Sequence, residues 1–365
     1  MHHTDATYYF GKPRFDGLGW PDEYVPRVSE LAKRLYCISK AYGQHKPNYE
    51  DIYYLVWQLY AELSPSKTNP AILPFKTELE KSAQDLLEKR PYDNTTEWRF
   101  SYLICELKNY MECVVWRLLA KPTENTSHLE FISKIHTCNV FKLGGILTLN
   151  HDRALETFMK QWRIPFFNGF APEVGGPSRE WIGFRSFDSK GEGEDRIPLV
   201  KLHGSIVWFH FKNTDKGSLK LREVGLCDDI WNLRDDEGRL NPADQPVDGT
   251  PEILMGRANK LQSYNFGHYI ELYSVCQKIL YGTDALIVVG YGFGDTGVDA
   301  TIRSWLDEDE SHRLVIVAPR IEEQIEEMLR IRWIKRRIAK NAQIQLISEC
   351  IQDVDFAEIK DLLLA

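Results

Sequence analysis

The sequence lacks the features that define several large classes of protein. Its longest apolar runs, such as residues 113–116, are far shorter than the roughly 20 residues of a membrane-spanning helix. Its seven cysteines are dispersed and none forms a C-x-x-C pair, so we expect neither a zinc ribbon nor any other bound metal. The number of cysteines is odd and no apolar signal region precedes the first charges, which predicts a cytoplasmic protein without a membrane segment.

An excess of basic residues is also missing. The chain has 45 Lys and Arg against 53 Asp and Glu, a net charge of −8, so direct binding of nucleic acid is not expected. Internal repeats and low-complexity tracts are absent too. What remains is typical of a globular protein, with 43% hydrophobic and 27% charged residues over 365 positions.

The hydrophobic pattern divides the chain into two parts. The pattern of residues 1–140 predicts helices near 23–40, 49–63, 77–88 and most clearly 97–120. We expect Asn94 and Glu97 to form a capping box at the start of the last of these helices. Residues 141–365 contain short apolar runs at 146–149, 197–202, 285–289 and 313–317, with helical patterns after the first, third and fourth. Apolar strands separated by helices indicate a parallel sheet. We expect an irregular insertion over about 161–262 and one long helix over 321–340.

Three of the four apolar runs end in polar or glycine-rich turns. The first leads into Thr-Leu-Asn-His-Asp at 148–152, the second into Lys-Leu-His-Gly-Ser at 201–205, and the third into Gly-Tyr-Gly-Phe-Gly-Asp at 290–295. Ligands of parallel α/β sheets bind at the carboxyl ends of the strands. We therefore expect the functional site at this edge of the sheet.

These three segments, in this order, resemble motifs of the sirtuin-like (silent information regulator 2-like) family. The resemblance is strongest to its bacterial branch of NAD-consuming defence proteins, where the motifs read T-x-N-Y-D, L-H-G-S and G-Y-S/G-F-x-D. It covers residues 144–295 directly and the helix and strand that follow. It implies a Rossmann-like α/β domain over 141–365, with helices on both faces of a parallel sheet. Residues 1–140 would be a large N-terminal helical elaboration packed on that domain.

The resemblance implies an NAD⁺ hydrolase that releases nicotinamide and ADP-ribose, and a role in anti-phage defence. The cationic leaving group needs no strong acid, but the reaction needs a base near neutral pH and a group that orients ribose or water. We assign His203 as the catalytic base and Asn150 as the orienting group, and expect His151 to be structural. The expected NAD-binding residues are Thr148, Asp152 (at the nicotinamide amide), Gly204, Ser205, Gly290, Tyr291, Gly292, Phe293 and Asp295.

One motif of the family has no counterpart in the sequence. Sirtuin-like domains open with a strand and a G-A-G-x-S phosphate loop, whereas Gly11, Gly17 and Gly19 follow no apolar strand. Either the N-terminus is truncated or the loop is degenerate. A noncatalytic nucleotide-binding scaffold or sensor therefore stays open as an alternative, as does an ADP-ribosyltransferase. The absence of paired cysteines argues against deacetylation.

The resemblance also implies assembly. We expect a homo-oligomer, or a defence partner such as a hexameric translocase ATPase or a prokaryotic Argonaute. Four aromatic residues around the helix at 97–120 favour a subunit or partner contact, namely Trp98, Tyr102, Tyr110 and Trp116. The acidic-to-basic order of residues 321–340 matches the helix dipole and indicates a solvated helix face.

Overall fold

The computed structural model describes residues 24–42, 47–63, 70–87, 96–120, 125–172, 178–184, 196–212, 219–224, 246–247, 250–256, 258–327, 331–339 and 343–364. The predicted cap at Asn94 lies outside these residues, as do Gly11, Gly17 and Gly19. Within the described part of the chain, no helix is both long and apolar enough to cross a membrane.

The first part of the chain is helical, as predicted. Its helices are α1 (Tyr24–Tyr42), α2 (Tyr49–Ala61), α3 (Leu73–Ser82), α4 (Thr96–Leu119) and α5 (Glu130–Thr137). α2 begins at a capping box in which the Asn48 side chain accepts from the Asp51 amide and the Asp51 carboxylate accepts from the Asn48 amide. The apolar faces of α1 to α4 form one core, which Ile253 and Met255 from the predicted insertion complete. The two parts of the chain therefore share a core.

Two details of the helical part differ from the prediction. α3 begins at Leu73 rather than near residue 77, because Pro74 lies in the first turn, where a helix needs no backbone N–H from that position. Of the four aromatic residues expected to favour an interface, Tyr110 and Trp116 are buried in the protein's own cores, and Tyr102 is exposed. The side chain of Trp98 lies outside the described residues.

The second part has the predicted α/β architecture, but its parallel strands form two sheets. One sheet has the order β1 (Ile146–Thr148), β4 (Ile197–Lys201) and β2 (Phe166–Phe167). The other has the order β7 (Ala285–Val289), β8 (Arg313–Val317) and β9 (Ile344–Ile347). Among the described residues no ladder joins β1 to β7.

Helices cover both faces of the β7–β8–β9 sheet, as expected of a Rossmann-like fold. Leu314 and Ile316 of β8 belong to a core with α9 (Thr296–Glu308), α10 (Ile321–Glu327) and α11 (Arg332–Ile338). Val315 and Val317 belong to a second core with α12 (Phe356–Leu364). Successive side chains of a strand point to opposite faces, so this alternation separates the two helix layers.

The predicted single helix over 321–340 is wrong. The structure has two helices, α10 and α11, with residues 328–330 outside its description. Ile325 of α10 and Ile331 before α11 are buried in the same core. Six residues of a straight helix would place these two side chains about 120° apart around the axis. Two helices allow both isoleucines to face the sheet.

The predicted insertion over about 161–262 is also less irregular than expected. It contains a three-stranded antiparallel sheet of β3 (Ser178–Glu180), β6 (Leu219–Val224) and β5 (Trp208–Lys212). It ends in α7 (Ala258–Ser263), which precedes α8 (Gly267–Tyr281). The helix predicted after β1 is α6 (Ala154–Gln161). The antiparallel sheet packs its aromatic face against β4 and α8.

Candidate active site

The carboxyl ends of β4 and β7 meet at one hydrogen bond. β4 ends at Lys201, and His203 lies two residues further along the chain with its side chain 4% exposed. The turn after β7 ends at Asp295, which is as deeply buried. The His203 Nε2 lies 2.8 Å from the Asp295 Oδ2. This contact joins the strand ends of the two parallel sheets, where ligands of such folds bind.

Tyr264 completes a group of three polar side chains. Its hydroxyl lies 2.8 Å from the His203 Nε2 and donates to the same Asp295 oxygen, also at 2.8 Å. Because Tyr264 donates its only proton to the carboxylate, His203 donates from Nε2. The neutral imidazole then carries its lone pair on Nδ1, which becomes the atom able to accept a proton.

Asp295 is held in place by its second carboxylate oxygen. Asp295 is the N-cap of α9, and its Oδ1 accepts from the amides of Gly297 at 2.9 Å and Val298 at 3.0 Å. The Tyr291 hydroxyl donates to Asp299 at 2.7 Å and accepts from the Asp295 amide. The carboxylate thus has one oxygen fixed by the helix and the other aimed at His203.

Electrostatics keep the Asp295 carboxyl charged and the His203 imidazole neutral. Burial alone would raise the pKa of Asp295, but hydrogen bonds from His203 and the helix lower it to about 2. Burial lowers the pKa of His203 below its usual 6.5, and the positive charge of Lys260 lowers it further, while Asp295 opposes both. A neutral imidazole near pH 7 is the form that can act as a base.

An ion pair connects the N-terminal helices to the surroundings of His203. Lys260 on α7 lies 3.0 Å from the Glu50 carboxylate on α2, with both side chains largely buried. The negative charge of Glu50 also acts on His203 and raises its pKa. The helical region therefore influences the candidate base directly.

The end of β1 lies beside His203 because β1 pairs with β4, with Thr148 opposite Lys201. His151 is buried, with its ring centre 6.1 Å from that of His203 and its pKa lowered well below 6.5 by burial. Asn150 is exposed at the same strand end, and its backbone N–H donates to the Thr148 hydroxyl at 3.1 Å. The structure therefore places the buried His151 ring near the His203 ring and leaves the Asn150 side chain exposed.

Three other expected binding residues have local structural contacts. The Asp152 carboxylate accepts from the Ala154 amide at 2.9 Å, at the start of α6. The Ser205 hydroxyl is fully buried and donates to the His151 carbonyl at 3.2 Å. Gly204 has φ +76°, and a Cβ there would lie 2.1 Å from the Glu252 carbonyl oxygen, so only glycine fits.

The turn after β7 differs from the others because it borders open space. Added Cβ atoms at Gly290, Gly292 and Gly294 would meet nothing within 4 Å. Phe293, between the last two glycines, is 1% exposed and packs its ring 4.7 Å from that of Tyr291. Backbone atoms of this turn can therefore be approached closely by a ligand, while Phe293 anchors it.

Sequence reasoning missed Tyr264, Lys260 and Glu50. Lys260 and Tyr264 lie at α7 in a segment of weak periodicity, and Glu50 belongs to the first turn of α2. None carries a local motif. A cavity of about 430 Å³ was also not foreseen; it lies at the β2 edge, lined by Phe166, Asn168 and basic residues, and shares none of the site's residues.

The profile of the SIR2-like domain family matches residues 144–345, more than half of the chain. The matched region contains β1, β4, the His203–Asp295 contact and the glycine turn. The chain therefore belongs to the SIR2-like family, which confirms the resemblance found in the sequence. Comparison with curated protein sequences finds no significant match.

Proposed function

We propose that this protein hydrolyses NAD⁺ at the bond between nicotinamide and ribose. The ADP-ribosyl group is transferred to water. SIR2-like domains use NAD as a substrate, and many members of the family are NAD-dependent enzymes. The observation that carries the proposal is the contact of His203 with Asp295 where the ends of β4 and β7 meet. This contact joins a proton acceptor to a charged partner at the edge where a nucleotide would bind.

In the proposed reaction His203 is the base. Water attacks the ribose C1′ as the C1′–N1 bond breaks. The electron pair of that bond leaves with the nicotinamide nitrogen, which becomes neutral. The water proton passes to the His203 Nδ1, because Nε2 already donates to Asp295. The carboxylate of Asp295 stabilises the imidazolium that forms, and release of the proton to solvent restores the base.

Other residues would bind the substrate. The open turn at 290–294 would accept the nucleotide against its backbone, because no side chain occupies the space above its glycines. Asn150 is exposed at the neighbouring strand end and would orient the ribose or the attacking water. Thr148 and Ser205 would support this edge by holding the strand ends through their hydroxyl contacts.

A second candidate is a noncatalytic NAD-binding scaffold or sensor. The burial of His203, at 4% side-chain exposure, favours it, because the hydrogen bonds that join His203 Nε2, Tyr264 and Asp295 form without a ligand. An ADP-ribosyltransferase is a third candidate, in which a macromolecule replaces water. All three would bind NAD, and they differ in what happens to it.

The test is to incubate the full chain with NAD⁺, alone and together with the proteins encoded beside it, and to follow nicotinamide by chromatography. Calorimetry on the same samples measures NAD binding. Release of nicotinamide together with binding supports hydrolysis or transfer. Binding without release would contradict the hydrolase and favour the scaffold.

We also propose a setting for this activity. A hydrolase that consumes cellular NAD suits an anti-phage effector in the cytoplasm that stays silent until it assembles. The partner would be a second copy of the chain, a hexameric translocase ATPase or a prokaryotic Argonaute. The Glu50–Lys260 ion pair supports such control, because a contact on the helical region could alter the charge around His203.

A further inference from the structure

Two histidines and one glutamate converge away from the candidate base. They are His210 on β5, His268 in the first turn of α8, and Glu252 in the segment between the antiparallel sheet and α7. The His210 Nε2 lies 2.9 Å from the Glu252 Oε2, and the His268 Nε2 lies 3.9 Å from the Glu252 Oε1. One nitrogen or oxygen from each residue lies within 4.8 Å of the others.

The surroundings of the cluster fit a bound cation better than a hydrogen-bond network alone. The His268 side chain is 9% exposed, yet its Nε2 makes no hydrogen bond and is aimed at the carboxylate. A buried polar atom without a hydrogen bond costs about 1–3 kcal/mol. The ring of His268 is fixed by aromatic contacts to Trp181 and Trp208, at 6.0 and 6.1 Å between ring centres. His210 is 32% exposed, which leaves an approach from solvent.

We propose that His210, Glu252 and His268 bind a divalent first-row transition metal ion of the zinc type. Two imidazoles and a carboxylate are a ligand set that such ions prefer, whereas Mg²⁺ and Ca²⁺ take oxygen ligands. A tetrahedral zinc ion with bonds of about 2 Å holds its ligand atoms about 3.3 Å apart. The three ligand atoms, which lie within 4.8 Å of one another, would move to this spacing by side-chain rotation, and solvent would supply the fourth ligand.

The position of the cluster gives the metal a structural role at the candidate active site. The backbone of Glu252 accepts from the Ser205 amide at 3.0 Å, and the Leu254 amide donates to the His203 carbonyl at 2.8 Å. The segment that carries Glu252 therefore holds the segment that carries His203. A metal on Glu252 would tie both to β5 and α8. The dispersed cysteines could not indicate this site, because none of its ligands is a cysteine.

The test uses the full-length protein after treatment with a chelator. Addition of Co²⁺ should give visible absorption bands of bound cobalt that saturate at one ion per chain and disappear when Zn²⁺ is added. Zn²⁺ should raise the melting temperature. His268→Gln and Glu252→Gln should each weaken Co²⁺ binding about tenfold or more. His136→Gln, an exposed histidine on α5, is the matched control and should change nothing.

Circular dichroism shows whether each variant remains folded, and His210→Gln provides a third variant that removes a more exposed ligand. The proposal is overturned if the wild-type protein binds no Co²⁺ at this stoichiometry. It is equally overturned if folded His268→Gln and His210→Gln bind Co²⁺ as tightly as the wild type. Both readouts are independent of NAD cleavage, so failure of the proposed function leaves this result unaffected.

Discussion

The imidazole of His203 is the group on which the proposed chemistry depends. His203→Ala should lower the rate of nicotinamide release about 10²–10⁴-fold, because it removes the general base. It should also lower stability by about 1–3 kcal/mol, because the buried Asp295 carboxylate loses a hydrogen-bond donor. Steady-state kinetics and thermal unfolding measure the two effects. His128→Ala, at an exposed position, is the control, and near-normal rates in folded His203→Ala would assign the base elsewhere.

The acid side of the pH–rate profile gives a second test of the same residue. The groups that act on His203 are Asp295, Tyr264, Lys260, Glu50 and His151. Burial and Lys260 lower the pKa of His203 below 6.5, so the rate should hold as the pH falls to 6.5 and decline only in more acidic solution. A profile whose acid limb lies at pH 7 or above would contradict this assignment.

The same shift predicts how stability changes with pH. The unfolded chain binds a proton at His203 near pH 6.5, whereas the folded chain binds it only at lower pH, because the pKa of His203 is lowered there. The unfolding free energy gained from this residue is therefore full above about pH 6.5 and is lost as the pH falls towards the folded-state pKa. Urea unfolding between pH 5 and 8 should show the loss in the wild type and a smaller one in His203→Ala. Equal pH dependence in both proteins would contradict the shift.

Gly204 and Gly290 form a matched pair for testing the turn beside His203. Both have positive φ, +76° and +64°, but only at Gly204 would a Cβ collide, 2.1 Å from the Glu252 carbonyl oxygen. Gly290→Ala should cost about 1–2 kcal/mol of backbone strain alone. Gly204→Ala should cost about 2–4 kcal/mol or more, because a backbone oxygen must move as well. Urea denaturation compares them, and equal losses would mean that the close approach is absent.

At the scale of elements, the two residues of the Glu50–Lys260 pair between α2 and α7 have opposite effects on the pKa of His203. Lys260 lowers the pKa of His203 and Glu50 raises it. Lys260→Gln should therefore move the acid limb of the rate profile to higher pH, and Glu50→Gln should move it to lower pH. Shifts in the same direction, or no shift in either variant, would show that the helical region does not act on the base.

The sequence predicted those elements whose pattern is local. The stripe of apolar residues in α4, the Asn-His-Asp turn after β1, the His-Gly-Ser turn after β4 and the glycine turn after β7 all have a period or a motif that can be read directly. The antiparallel strands β3, β5 and β6 were missed, because glycine, proline and aspartate between them obscure the alternation. Tyr264 could not be predicted, since its role arises only when α7 packs against the end of β7.

At the scale of the molecule, the shared core limits what a truncation can preserve. Ile253 and Met255 pack among the N-terminal helices, so the two parts of the chain stabilise each other. We expect self-association or partner binding through the helical region, where Tyr102 is exposed. Light scattering of the full chain across a concentration series, with NAD cleavage measured in parallel, tests this. A monomer at every concentration with full activity and no partner would refute control by assembly.

The most direct test of the central claim is the balance of products from NAD⁺ with the purified chain, alone and together with the proteins encoded beside it. Hydrolysis at the His203–Asp295 site predicts nicotinamide and free ADP-ribose in equal amounts, with both lost together in His203→Ala. Nicotinamide without matching free ADP-ribose would instead indicate transfer to a macromolecule. Intact NAD⁺ under conditions where calorimetry shows it bound would contradict the claim of an enzyme.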